Sequence, residues 1–261
     1  MKVADIRRQS LSLTDEVPKV KDKQFCDPMS GKACVTVCAS KGSCKRGCKE
    51  VRETLVEEIA RLKLGITVGN AKAGCDGNCE TGPILGFPQR QFFYLGVKPA
   101  DVTEIVQETL IHGRIMTPFV SIRPERAYRS DIYFDKHSGQ LVAMDDSICM
   151  VEVAKYFLDF EAGLSCGKCI PCRLGLVRMR ECIDRIASGK GAMDDLEQIK
   201  VLCTTMIVRP YCEFAMTSSR PVLTAVTCFK DEFVSHIEQK ECAVGACQGL
   251  VPLRAERTTA A

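Results

Sequence analysis

Cys166, Cys169 and Cys172 form a C-x2-C-x2-C run within Ser165-Cys166-Gly167-Lys168-Cys169-Ile170-Pro171-Cys172-Arg173, and Cys212 follows far downstream. Three thiolates at this spacing can wrap one corner of a cubane, and a remote cysteine closes the set; [4Fe-4S] clusters are held this way. The neighbours suit an anionic group. Lys168 and Arg173 flank the run, Gly167 lets backbone approach sulfur, and Pro171 suits the first turn of a helix whose N-terminus is positive. A four-cysteine zinc site is the alternative, but zinc ribbons pair two C-x2-C knuckles, so the spacing favours the cubane.

A second group lies nearer the N-terminus. Cys38 and Cys44 follow one strand-like run, and Cys75 and Cys79 follow another within Gly74-Cys75-Asp76-Gly77-Asn78-Cys79-Glu80-Thr81-Gly82-Pro83. Two thiol pairs on adjacent strand-to-loop turns can hold a binuclear [2Fe-2S] cluster, two per iron. Cys48 competes with Cys44 for the second position, and zinc or a redox disulfide are the other uses of such a set.

The third group is His236, Cys242 and Cys247, a soft donor mix that suits tetrahedral zinc. Its fourth ligand is Cys149 or Cys228. Cys26 and Cys34 have no evident partner.

These sites account for much of an unusual composition: 17 cysteines in 261 residues. The odd count, short spacings and lack of a secretory leader disfavour a disulfide scaffold. Cys182 and Cys203 fit helical patterns as small buried hydrophobes. A net charge of +3 is too small for binding driven by phosphate neutralisation, and Trp is absent, so a nucleic-acid partner is not expected. No apolar stretch is long enough to span a bilayer, which points to a cytoplasmic protein. Three histidines, His112, His137 and His236, form no nucleophile-and-base arrangement, so no catalytic residue is assigned.

The elements that must position these thiols follow from periodicity. Residues 1–30 read as an extended arm. Ala33–Val37 is a strand, Glu50–Leu64 a helix with Val51, Leu55, Ile59 and Leu62 inward, and Gly65–Val68 a second strand. Ile84–Phe87 and Gln91–Tyr94 form a hairpin, and Pro99–His112 a helix stopped at Gly113. Residues 31–115 are thus one β-α-β-β-α unit, and residues 116–145 a linker with short strands. Residues 146–240 read as four helices that hold the cubane run between the first two and Cys212 between the last two. Residues 241–261 are a tail with candidate zinc ligands. The fold class is α+β.

At these residues the chain resembles the family of the flavin- and NAD-binding subunit of respiratory complex I, and more closely its relatives in electron-bifurcating hydrogenases and NAD-linked formate dehydrogenases. Ile148-Cys149-Met150-Val151-Glu152-Val153-Ala154-Lys155-Tyr156-Phe157-Leu158 and Ser165–Gly175 carry the match to the family's cubane domain, and Asp231-Glu232-Phe233 through Cys247 the match to its tail. Residues 34–113 resemble a thioredoxin-like [2Fe-2S] domain, on Gly74–Pro83 and Val97-Lys98-Pro99-Ala100-Asp101-Val102. The resemblance implies [4Fe-4S] ligands at Cys166, Cys169, Cys172 and Cys212, [2Fe-2S] ligands at Cys38, Cys44, Cys75 and Cys79, and a zinc site of Cys149, His236, Cys242 and Cys247.

The family carries a large FMN- and NAD-binding domain between its iron–sulfur parts. Here only the linker stands there, and no G-x-G-x-x-G phosphate cradle occurs. The expectation is an iron–sulfur electron-transfer subunit, not catalytic alone, with no FMN or NAD on this chain. It would relay single electrons between flavoprotein and NAD(P)-binding partners of a hetero-oligomeric complex, bifurcating or not, with ferredoxin reached through that complex. The linker would let the N-terminal unit swing. The alternative is a zinc-binding structural subunit that docks or assembles a flavoprotein.

Overall fold

The computed structural model describes residues 25–39, 44–75, 77, 79–120 and 129–252. Most of the expected arm, the loop 40–43 and the end of the tail lie outside the described residues.

The N-terminal part runs β1 (Val35–Ala39), α1 (Cys48–Arg61), β2 (Val68–Gly74), β3 (Leu85–Phe87), β4 (Phe92–Tyr94) and α2 (Val102–Ile105), which continues as a wider turn through Val106–Ile111. β1 and β2 are parallel, while β3 and β4 run antiparallel, in the order β4-β3-β1-β2. This is the thioredoxin-like arrangement. α1 buries Val51, Leu55 and Ile59 against the sheet, as its 3.6-residue spacing requires.

β2 lies several residues later than the sequence pattern places it. Its residues, Val-Gly-Asn-Ala-Lys-Ala-Gly, have poor intrinsic strand preference. Pairing on both edges holds it in the sheet.

The second edge of β2 is the main departure from expectation. β5 (Ile132–Phe134) and β6 (Leu141–Ala143) form a hairpin, and β6 pairs antiparallel with β2. One six-stranded sheet, β4-β3-β1-β2-β6-β5, therefore crosses the expected linker. Alternation divides the hairpin between two cores. Ile132, Phe134, Leu141 and Ala143 join the helical core, while Tyr133 and Val142 pack with Cys38, Cys48, Ala71 and Ala73 on the opposite face. A swinging linker is not what these residues form.

The helical part contains α3 (Met150–Leu164), α4 (Leu176–Ala187), α5 (Met193–Val208), α6 (Glu213–Ser218), α7 (Arg220–Cys228) and α8 (Lys230–Val234). The fourth expected helix is broken at Phe229, whose φ of −116° and ψ of 30° leave the helical region. α7 and α8 lie on either side of it, and α8 continues as a wider turn through Ser235–Gln239.

Both ends of the N-terminal and helical parts are packed rather than free. Phe25 is buried edge-on to Phe87 at 5.7 Å, and Arg90 lies over its ring. Cys26 and Cys34 are joined as a disulfide, their Cα atoms 5.5 Å apart. Residues 25–30 thus belong to the domain and not to the arm. Cys242, Cys247 and Leu250 are buried in the helical core, so the described part of the tail is domain too.

Candidate metal centres

α3 ends at Leu164, and the C-x2-C-x2-C run occupies the bend before the helical turn Pro171–Gly175 that opens α4. Gly167 has φ +67°, a conformation that suits glycine, and its N–H donates to Ser165 Oγ at 3.3 Å. Cys212 sits at the N-terminal boundary of α6. Burial raises the Cys172 thiol, and the charges of Cys169, Cys212 and Cys166 raise it further. Cys172 is buried and Cys166 and Cys212 are exposed. The exposed apolar side chains Ile170, Leu174, Val208 and Tyr211 flank these cysteines in sequence.

The N-terminal thiols gather on one face of the sheet. Cys38 pairs in register with Ala71 near the end of β1, and Cys75 follows the end of β2. Lys45 N–H donates to Gly77 O at 3.2 Å and Arg46 Nε to Cys79 O at 2.7 Å, so the two thiol loops are laced together. Burial pushes Cys75 up to about 11, against a backbone N–H from Gly77 that favours its thiolate. Cys79 is raised by burial, opposed by the Gly82 N–H, and both thiols feel Cys38 and Cys44. Gly82 has a steric role: a Cβ there would stand 2.7 Å from Cys79 Sγ. The backbone N–H groups of Gly77 and Gly82 and the close approach of Gly82 to Cys79 Sγ suit the anionic sulfurs of a binuclear cluster.

Cys48, the competitor of Cys44 in the sequence, lies among these thiols. It opens α1 with its Sγ 3.1 Å from Cys38 Sγ and 3.0 Å from Cys44 Sγ. Its hydrogen bond to Cys38 lowers the Cys38 thiol and raises its own. The four-residue step from Cys44 to the first turn of α1 was the sequence signal for it.

The third centre is built from elements far apart in the chain. Cys149 precedes α3, His236 lies on the turn after α8, and Cys242 and Cys247 follow. All four are buried, and their ligand atoms lie within 4.8 Å of one another. Cys149 Sγ is 3.5 Å from His236 Nε2 and 3.7 Å from Cys247 Sγ. His236 Nδ1–H donates to Glu232 O at 2.7 Å, which turns Nε2 toward Cys149 and, in the neutral ring, leaves it as the ligating lone pair. A hydrogen bond from Cys247, then one from His236, holds Cys149 down at about 4. Burial alone would lower His236, but the Cys149 thiolate outweighs it and raises the imidazole to about 9. The donor set and its backbone-oriented histidine fit tetrahedral zinc. Cys228, the other candidate ligand, instead flanks β2: a Cβ at Gly74 would lie 3.2 Å from Cys228 Cβ.

Cys182 and Cys203 are buried on α4 and α5, and burial raises Cys203 to about 12, as befits a packing thiol. No helix among the described residues is long and apolar enough to cross a membrane.

Comparison with known proteins bears on the helical part. Residues 152–236 match the family model described as the NADH-ubiquinone oxidoreductase-F iron-sulfur binding region. The HndC subunit of the NADP-reducing hydrogenase of Solidesulfovibrio fructosivorans is 40% identical over 114 residues, 44% of this chain and 23% of that protein. The F 2 subunit of the NADH-quinone oxidoreductase of Rhizobium meliloti (strain 1021) is 38% identical over 105 residues, 40% of this chain and 25% of that protein. The matches span about a quarter of the length of these relatives. Among solved structures, a thioredoxin-like [2Fe-2S] ferredoxin from Aquifex aeolicus is 28% identical over 36% of this chain and 96% of its own, with a TM-score of 0.30. An NAD+-reducing [NiFe]-hydrogenase in the H2-reduced state is 26% identical over 37% of this chain and 17% of its own, with a TM-score of 0.35. Residues 152–236, which match the NADH-ubiquinone oxidoreductase-F iron-sulfur binding region, contain Cys166, Cys169 and Cys172 in one run and Cys212 farther along the same span.

Proposed function

We propose that this chain is an iron–sulfur electron-transfer subunit of a cytoplasmic, multi-subunit, NAD(P)-linked oxidoreductase. Cys166, Cys169, Cys172 and Cys212 hold a [4Fe-4S] cluster, Cys38, Cys44, Cys75 and Cys79 hold a [2Fe-2S] cluster, and Cys149, His236, Cys242 and Cys247 hold zinc. The observation that carries this reading is the match of residues 152–236 to the NADH-ubiquinone oxidoreductase-F iron-sulfur binding region, with Cys166, Cys169, Cys172 and Cys212 all inside that span. The two clusters supply one-electron storage at two points. The protein's own groups set where that charge is welcome: Lys168, Arg173 and Arg46 are cationic, and the Gly77 and Gly82 N–H groups reach sulfur.

The flavin and the pyridine nucleotide belong to a partner chain in this reading, and the exposed Cys166–Cys212 edge is where it would meet the cubane. The shared sheet favours a fixed separation between the clusters over the swinging motion that a free linker would allow. Bifurcation, if the complex performs it, would then be gated in the partner.

In this reading Cys48 is a neighbour of two ligands, Cys38 and Cys44, with short contacts to both sulfurs, and is not itself a ligand.

The test is anaerobic iron, sulfide and zinc analysis of the purified chain with EPR of the reduced protein. The expected result is roughly six iron, six sulfide and one zinc per chain. Zinc alone, with no iron after reconstitution, would end the electron-carrier reading and leave a structural docking subunit.

A further inference from the structure

Gln140 precedes β6, in the hairpin that extends the N-terminal sheet. Its side chain is 1% exposed. Its Oε1 accepts from Thr81 Oγ1 at 2.9 Å, while its Nε2 has no hydrogen-bond partner among the described residues. A buried amide N–H without an acceptor is rare in native proteins and calls for a missing group.

The register says which group. Leu141 pairs with Gly74, so Gln140 falls opposite Cys75. The face that Gly74 and Leu141 share is the helical one: a Cβ at Gly74 would meet Phe229 and Thr224, and Leu141 lies in the helical core. Alternation therefore puts Gln140 on the other face, with Val142, Ala73 and Cys38. Thr81, its one partner, is two residues from Cys79. The unsatisfied donor thus lies on the face, and beside the loop, that the binuclear cluster would occupy. The opposite amide orientation would turn a carbonyl oxygen toward anionic sulfur, so the orientation that bonds Thr81 is also the electrostatically favoured one.

We propose that Gln140 is a positioning residue for the [2Fe-2S] centre: its Nε2–H donates to a sulfur of the cluster and raises the cluster's reduction potential. This rests on the reading of Cys38, Cys44, Cys75 and Cys79 as cluster ligands. Reduction adds one negative charge, and a fixed donor favours the more negative form. The donor comes from the hairpin that joins the two parts, so docking of the helical part and the poise of the N-terminal cluster are linked through one side chain.

The experiment uses the full chain with both clusters reconstituted anaerobically. Midpoint potentials of both are read by EPR-monitored titration in wild type, Gln140→Leu, Gln140→Met and Thr81→Val. Leu and Met both remove the donor, and Met keeps the side chain's length if Leu packs poorly. The expected result is a fall of the reduced-to-oxidised ratio of the [2Fe-2S] centre by about tenfold at fixed ambient potential, or about 59 mV for a one-electron couple. The [4Fe-4S] midpoint stays unchanged as an internal control, and one exchangeable-proton coupling disappears from the ENDOR spectrum of the reduced binuclear cluster. Unchanged [2Fe-2S] midpoints in both Gln140 variants would overturn the proposal. An equal shift in Thr81→Val would also overturn it, because Gln140 would then only shape the loop. Absence of a binuclear signal in wild type would sink the cluster reading itself, a failure seen before any variant is measured.

Discussion

Lys72 on β2 and Glu232 on α8 form an ion pair at 2.8 Å, 160 residues apart in sequence. Lys72 Nζ also donates to Ile148 O at 2.8 Å, and Glu232 Oε2 accepts from Met150 N–H at the start of α3. The backbone carbonyl of the same glutamate orients His236. One residue pair therefore ties the thioredoxin-like sheet to the helical part and to the zinc-type site.

The pair is half-buried and hydrogen-bonded on both sides, so it should contribute more than an exposed salt bridge. Lys72→Met and Glu232→Gln should each destabilise the chain by about 1–3 kcal/mol. A double-mutant cycle in urea should show coupling of at least ~0.5 kcal/mol. Additive effects would mean that this ion pair does not couple the two parts, which the β2–β6 ladder and the packed hairpin then hold together.

Gly82 leaves no room for a side chain beside Cys79 Sγ, since a Cβ would lie 2.7 Å away. Gly82→Ala should lower the iron bound at the N-terminal site while leaving the cubane EPR signal intact. Full retention of both clusters would show that the loop can yield by several tenths of an ångström.

Cys44 and Cys48 make opposite predictions. Cys48→Ser should keep the [2Fe-2S] EPR signal, because Cys48 is not a ligand in the proposed set. Cys44→Ser should abolish it or shift it strongly. The reverse pattern would move the ligand to the first turn of α1.

Metal removal should act locally on the third centre. The site ties Cys149, before α3, to the tail segment that carries Cys242 and Cys247. Chelation, or His236→Ala, should lower the thermal midpoint and expose amides 241–250 to hydrogen exchange. The iron content should not change. Unaltered exchange in that segment would rule out a structural metal there.

Asp195 offers a pH test independent of any metal. The Arg185 guanidinium holds its carboxyl below the usual carboxylate range, and Oδ2 accepts from Ala192 N–H at 3.0 Å at the start of α5. A depressed carboxylate stabilises the fold fully above its unfolded value of ~3.9, and this contribution is lost as pH falls through the lower folded value. Asp195→Asn should cost about 1–3 kcal/mol at pH 7. The gap to wild type should stay constant down to about pH 5 and narrow only below about pH 4.

The C-x2-C-x2-C run was legible because Cys166, Cys169 and Cys172 lie close together in sequence, with Gly167 and Pro171 at positions their backbone needs. The helices were legible because Val51, Leu55 and Ile59, or Ile183 and Ile186, repeat at helical spacing on buried faces. The spacing of His236, Cys242 and Cys247 marked a soft donor set in the same local way. What residue types and short spacings decide is a ligand inventory and the segments that carry it.

Tertiary structure decided what those segments meet. β2 is a strand because β1 and β6 flank it, although its glycines and alanines argue otherwise. The Cys26–Cys34 disulfide, the approach of Cys48 to two thiols, the fourth donor Cys149 and the unpartnered Nε2 of Gln140 all depend on contacts between distant residues. Such contacts follow from register and packing; a one-residue slip of β6 would send Gln140 to the opposite face of the sheet. Local spacing cannot encode that choice; burial of the two hydrophobic cores on either side of one sheet makes it.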